Sequence, residues 1–291
     1  MIKYNPKSWV QLIFAFHKSD TIRILWKELI YIGLFTVGIA YLEITYFPHA
    51  TYLSGLTAVY SLIGFVISLL LVFRTNTAYD RWWEGRKKWG EMVNDSRNLA
   101  VKISTLQFDK EENDFFRRMI SNFTYATKEH LRRTVNLDEL QLTDEERKGL
   151  ERKNHLPVEI VHLMFKHMNK LKSEGRLSEM EYLAINDNLD SLVDSLGACE
   201  RILNTPIPYS YSLFLKKFIF IYTTTLPLAF VTTFGYFSAL IATFVFYVLV
   251  SMEVLAEEIE DPFGIDDNDL PTDQLCETIR KNVNEVFEEN E

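Results

Sequence analysis

The chain has 291 residues, 47% hydrophobic and 24% charged, with a formal net charge of −9. Its two cysteines, Cys199 and Cys276, lie far apart, which excludes a disulfide framework and a cysteine-based metal site. A mean hydropathy of −0.05 would suit a soluble protein, but it averages charge-free stretches with a densely charged one and conceals both.

Residues 1 to 27 carry five basic side chains, Lys3, Lys7, Lys18, Arg23 and Lys27. The apolar run from Trp9 to Phe16 is short, is followed at once by His17, Lys18 and Asp20, and lacks a small-residue cleavage pattern, so it does not read as a signal peptide. Two readings are open for it: an amphipathic helix at the inner membrane interface anchored by Trp9, or a helix packed on the polar domain.

A bilayer core about 30 Å thick is spanned by about 20 apolar residues in a helix. Leu29 to Phe47 meets that length with one acid, Glu43, and Thr51 to Phe73 meets it with 23 charge-free residues. A further 35 charge-free residues run from Phe218 to Met252. They divide into two spans if the chain turns near Gly235-Tyr236-Phe237-Ser238, which gives four spans in two hairpins. Basic residues cluster before the first span and at Arg74, Arg81, Arg86, Lys87 and Lys88, while the Phe47-Pro48-His49-Ala50 link and the Gly235 turn have none. Both termini and the polar middle are therefore expected in the cytoplasm.

Between the apolar parts, Arg74 to Lys217 reads as helical throughout. Trp89, Met92, Val93, Ser96, Ala100, Ile103 and Leu106 recur at threes and fours, as do Phe116, Met119, Ile120 and Phe123. Thr143 with Glu146 and Ser178 with Glu181 form capping-box patterns, and Pro157 suits a first helical turn. Thr205-Pro206-Ile207-Pro208 marks a bend before the second apolar part. Residues 253 to 291 hold fourteen acids and two bases, net −12, leaving the rest at +3, so nucleic acid is not an expected partner. The Glu- and Asn-rich end reads as a disordered tail. The expected organisation is an N-terminal amphipathic segment (1–27), two transmembrane helices (28–74), a helical cytoplasmic domain (75–212), two more transmembrane helices (213–254) and an acidic C-terminal segment (255–291). The fold class is all-α.

No metalloprotease, serine hydrolase, P-loop or dinucleotide motif occurs, and the six histidines show no ligand-like spacing, so an enzyme is not expected. The second span is more informative. Phe65, Leu69 and Phe73 repeat every four residues on one face, with Ser61, Gly64 and Ser68 offering small side chains beside them. The stripe faces lipid or a packed interior, or else several copies surround an axis and stack it into apolar rings that gate a pore by dewetting. The pore reading requires an oligomer. Arg81-Trp82-Trp83 follows within a dense run of cations, beyond what interfacial anchoring needs, and suggests packing at a subunit junction.

In these features the chain resembles the bestrophin family, in its bacterial branch. Arg81-Trp82-Trp83 follows a span with a four-spaced apolar stripe, and Asp261-Pro262-Phe263-Gly264-Ile265-Asp266-Asp267-Asn268-Asp269 is similar to the family's Asn-Pro-Phe-Gly acidic cluster. The resemblance implies a homopentameric ion channel in the bacterial inner (cell) membrane, with membrane lipids and permeating ions as its other partners. It implies a hydrophobic neck at Phe65, Leu69 and Phe73 and a cytoplasmic aperture at Leu183, which otherwise reads as a core leucine. Animal members conduct anions and clasp calcium with the acidic cluster. Here Glu258, Asp261, Asp266 and Asp269 are the positions for such a clasp, but Ile265 and Asn268 stand where acids are usual. The alternative is a solvated acidic turn that packs Phe263 against the domain. Selectivity stays open: Glu253, Glu257, Glu258 and Glu260 would favour cations if they face the axis, and would not if they pack between subunits. A transporter would need a midplane polar site, for which Glu43, placed near the outer interface, and Pro227 are thin support. A membrane-anchored scaffold is the third reading.

Overall fold

The computed structural model describes residues 21–47 and 55–288; the Trp9 to Phe16 segment and the Pro48 link lie outside the described residues. The described residues form helices and no strand. In order these are α1 (Thr21–Tyr46), α2 (Leu56–Ser104), α3 (Lys110–Leu131), α4 (Asp144–Leu150), α5 (Leu156–Ser173), α6 (Glu179–Asn204), α7 (Tyr209–Thr225), α8 (Pro227–Phe234), α9 (Ser238–Glu260) and α10 (Thr272–Glu288). Among the described residues, three stretches are long and apolar enough to cross a membrane: Thr21–Tyr46, Leu56–Ser104 and Tyr209–Glu260. The third stretch is broken twice. Proline at 227 separates α7 from α8, because it lacks the N–H that would continue the ladder. The turn expected near Gly235 is a 3-10 turn, Gly235–Phe237, opened by a glycine at φ +55°, a backbone state that side chains disfavour. The boundaries expected after residues 27, 74, 212 and 254 fall inside α1, α2, α7 and α9, so no helix ends at them.

The chain forms two compact units. One comprises the chain through Trp82 with Pro206–Asp261 and Asp266–Asn268. Within it α1 lies against α8 and α9. The contact face of α1 is a stripe of Leu25, Ile32, Thr36, Ala40 and Glu43. A Cβ at Gly33 would stand 3.3 Å from Thr243 Oγ1, so small residues let these backbones approach where lipid gives no hydrophobic drive. Glu43, near the end of α1, is 7% exposed and turned into this packing, and neither carboxylate oxygen meets a donor among the described residues. Ile67 and Leu71 of α2 pack with Ile219, Tyr222 and Leu226 near the junction of α7 and α8, and with Ala242 and Leu249 of α9. Gly64 is needed there, because a Cβ would lie 2.6 Å from Tyr222 Oη.

The other unit comprises Trp83–Thr205, Pro262–Ile265 and the chain from Asp269. Five members of the expected stripe, Trp89, Met92, Ser96, Ala100 and Ile103, are fully buried on α2, whereas Val93 is half-buried and Leu106 lies past the end of the helix at Ser104. Both expected capping boxes close, Thr143 with Glu146 and Ser178 with Glu181, and a third is formed by Asp109 and Glu112. Pro157 sits in the first turn of α5, and the Pro206/Pro208 segment separates α6 from α7. The acidic tail is a docked helix through Glu288, and residues 289–291, at the end expected to be disordered, lie outside the described residues. Cys276, Ile279, Val283 and Phe287 give α10 one buried stripe, and α10 packs on α3. Its first turn is tied down by Asp273, whose two oxygens accept from Arg132 at 2.9 and 2.7 Å while Lys128 lies 3.0 Å away. The bond from Arg132 holds the Asp273 carboxyl at about 2. A depressed carboxyl stabilises the fold above its ordinary value and loses that effect as pH falls through about 2, so the tie is intact at neutral pH.

Both cysteines are fully buried in this unit, and burial pushes each thiol up to about 12. Thiolate is the reactive form, and almost none exists at neutral pH. The native protein is expected to take up no maleimide, and the denatured protein two per chain. Labelling of the native form at Cys199 or Cys276 would contradict their placement.

Candidate functional site

Helix α2 is the apolar element that the chain covers least. Of its most apolar window only 11% is buried, against 22% in α1 and 33% in Tyr209–Glu260. Ile67 and Leu71 take the covered side, and residues two positions away along a helix point in nearly the opposite direction. Phe65, Leu69 and Phe73 accordingly project outward, 66%, 44% and 55% exposed, over about 12 Å of helix axis. The packed-interior reading of this stripe therefore fails within the chain. Ser61 and Ser68 on the same open side turn their hydroxyls back to Thr57 and Gly64 carbonyls, so they add no free polar group to it.

One residue beyond Phe73, Arg74 is 1% exposed. Its guanidinium donates to Glu260 Oε2 at 2.6 Å and has Glu253 Oε1 3.8 Å from Nε. The other Glu260 oxygen accepts from the Ile207 N–H at 2.7 Å. Lys216 pairs with Glu257 at 2.5 Å, and the Asn268 amide donates to Glu258 at 2.7 Å. Glu257, Glu258 and Glu260 thus each meet a donor within the chain, and Glu253 is buried beside Arg74.

The Arg81-Trp82-Trp83 motif is likewise used largely within the chain. Arg81 Nε donates to the Glu260 carbonyl at 3.1 Å, which satisfies one of the orphan carbonyls at the end of α9. Trp82 Nε1 donates to the Asn268 carbonyl at 3.1 Å, and its ring stacks on Tyr79. Trp83 is 47% exposed.

In the acidic turn the Leu270 N–H closes on the Pro262 carbonyl at 2.9 Å. Phe263 is 1% exposed against Gly85, where a Cβ would lie 3.1 Å from the ring. The turn therefore packs Phe263 as the second reading expects. Calcium takes six to eight oxygens at about 2.3–2.6 Å. Of the four positions for a clasp, Asp261 and Asp266 are exposed, Asp269 is buried with Oδ2 close against Gly264, and the Glu258 carboxylate accepts from the Asn268 amide. Phe263→Ala is expected to cost about 3–5 kcal/mol by leaving a cavity, read as a lower denaturation midpoint of the detergent-solubilised protein. An unchanged midpoint would contradict the packing.

Leu183 lies in the second turn of α6 and is 51% exposed, so its core reading fails. Met180 precedes it by one turn at 76% exposed, and Asp187, Asp190 and Asp194 continue the same exposed face. Among the histidines, His162 is exposed and His167 stacks on Phe115, where burial pushes its imidazole below the ordinary value. Sequence spacing gave no hint of the Arg74 cluster, because its members meet only in the fold.

The sequence profile of the family described as Bacterial/Fungal Bestrophin protein matches residues 1–285. The chain is 36% identical over 289 residues to a voltage-dependent anion channel-forming protein of Nostoc sp., covering 96% of this chain and 92% of that protein. It is 30% identical over 293 residues to the voltage-dependent anion channel-forming protein YneE of Escherichia coli K12, covering all of this chain and 95% of that one. Among solved structures, a bacterial bestrophin homologue from Klebsiella pneumoniae superposes with a TM-score of 0.81 at 29% identity, over 91% of this chain and 98% of that one.

Proposed function

Because this chain belongs to the bacterial and fungal bestrophin family of membrane proteins, we propose that five copies assemble around an axis into a channel for small monovalent ions. In this assembly α2 lines the pathway, Phe65, Leu69 and Phe73 form its neck, and Leu183 forms a second constriction. Each chain crosses the inner membrane four times, α1 and α2 as one hairpin and Tyr209–Glu260 as the other. The termini and the helical unit carrying Leu183 lie on the cytoplasmic side.

The observation that carries this reading is the apolar stripe on the face of α2 that the chain leaves uncovered. Apolar rings offer an ion no ligand in exchange for its hydration shell, so a narrow neck empties of water and blocks, while a wider one stays wet and conducts. Selectivity by sign then rests on charges beyond the rings, and the exposed Asp187, Asp190 and Asp194 share the face of Leu183. The reversal potential across a salt gradient reads that sign.

The native mass of the detergent-solubilised protein, measured by light scattering, tests the assembly. Five chains per particle are expected, and a monomer or dimer would contradict the pathway. Planar-bilayer recording separates the remaining readings. A channel gives unitary currents, a transporter slow saturable flux, and a scaffold none.

A further inference from the structure

Outside the pathway, three side chains distant in sequence converge in the unit that holds α3, α5 and α6. His130 is in the last turn of α3, His155 caps the start of α5, and Glu200 lies near the end of α6. His130 Nε2 and His155 Nε2 stand 2.6 and 2.8 Å from the same oxygen, Glu200 Oε1. The two imidazoles face each other with ring centres 4.3 Å apart. Neither the family resemblance nor the proposed pathway uses any of the three.

We propose that His130, His155 and Glu200 bind a divalent transition-metal ion, with zinc the best match. One ligand atom from each residue lies within 4.8 Å of the other two, the reach of a single ion. Two imidazole nitrogens and one carboxylate oxygen are the donors that zinc takes at about 2.0–2.2 Å, commonly with water in a fourth position. The side chains are partly exposed, at 28%, 39% and 27%, which leaves a side open for that water. Imidazole disfavours calcium and magnesium, which take oxygen ligands.

The metal-free geometry points the same way. Both imidazoles must present an N–H to one oxygen, which fixes both in the same tautomer. For a metal ion to bind, each imidazole proton moves from Nε2 to Nδ1; the ion then receives both Nε2 lone pairs and gives Glu200 a positive partner. Tetrahedral ligands at zinc distances stand about 3.3 Å apart, so the trio has to spread by about half an ångström. Half-exposed side chains reach this by small torsional changes. The ion would then tie together the end of α3, the start of α5 and α6.

Full-length protein, dialysed against a chelator and titrated with zinc chloride by calorimetry, tests the site. One zinc per chain is expected. His130→Ala, His155→Ala and Glu200→Gln are each expected to weaken binding by about tenfold or more, since even outer-shell changes weaken metal sites on that scale. Cobalt(II) reports geometry independently: the wild-type protein is expected to give the intense visible absorption of a tetrahedral site. Absence of zinc binding, affinity unchanged in all three variants, or only the weak spectrum of octahedral cobalt would overturn the assignment. The wild-type cobalt spectrum decides even if a variant fails to fold.

Discussion

Replacing Phe65, Leu69 and Phe73 together by alanine is expected to give currents that are several-fold larger or that no longer close. Each phenylalanine removed withdraws a ring from the neck, and the wider apolar passage that remains holds water continuously. The substitution should leave the fold intact, because all three side chains are exposed and none belongs to the cluster around Ile67 and Leu71. Alanine also suits a helix interior better than phenylalanine does. The comparison that matters is open time and conductance in a bilayer, made on variant protein with an unchanged denaturation midpoint. Wild-type gating in such a variant would place the stripe against lipid.

Arg74→Met is expected to be the most damaging single change in the apolar unit. Arg74 is 1% exposed, and its side-chain partners Glu253 and Glu260 are 4% and 14% exposed. Removing one member of a buried ion pair leaves the other charged without compensation, at a cost of about 3–5 kcal/mol. Arg74→Lys should recover only part of this, because an ammonium cannot present two edges to two carboxylates as a guanidinium does. Adding Glu260→Gln to Arg74→Met should restore part of the stability, since it removes one of the two stranded carboxylates. Thermal unfolding followed by tryptophan fluorescence checks all three, and equal midpoints across the set would show that the cluster does not stabilise the fold.

The apolar helices were legible because lipid demands long charge-free runs, and the proline and glycine punctuation placed the breaks at Pro206 and Gly235. The stripe from Trp89 to Ile103 and both anticipated capping boxes were legible because they are local periodicities. Helix α10 was hidden by its own charge: Cys276, Ile279, Val283 and Phe287 keep helical spacing, but the excess of acid around them resembles a solvated tail. The tie between Asp273 and Arg132 is what lets such a segment dock. Clusters of residues remote in sequence were invisible for a different reason. Arg74 with Glu260, Gly85 with Phe263, and His130 with His155 and Glu200 depend on chain folding that no local spacing records. For Leu183 and the neck residues, sequence supplied candidates and the fold supplied exposure, and the resemblance to the bestrophins supplied the axis.

That axis is tested most directly at Leu69. The two native thiols are buried, so Leu69→Cys introduces the one accessible sulfhydryl. Adding a membrane-impermeant methanethiosulfonate reagent to the aqueous phase of an open channel should then block the current of Leu69→Cys and leave the wild type unaffected. Current that persists in Leu69→Cys, while a lipid-soluble reagent labels the same cysteine, would put this side chain in the bilayer and contradict the account.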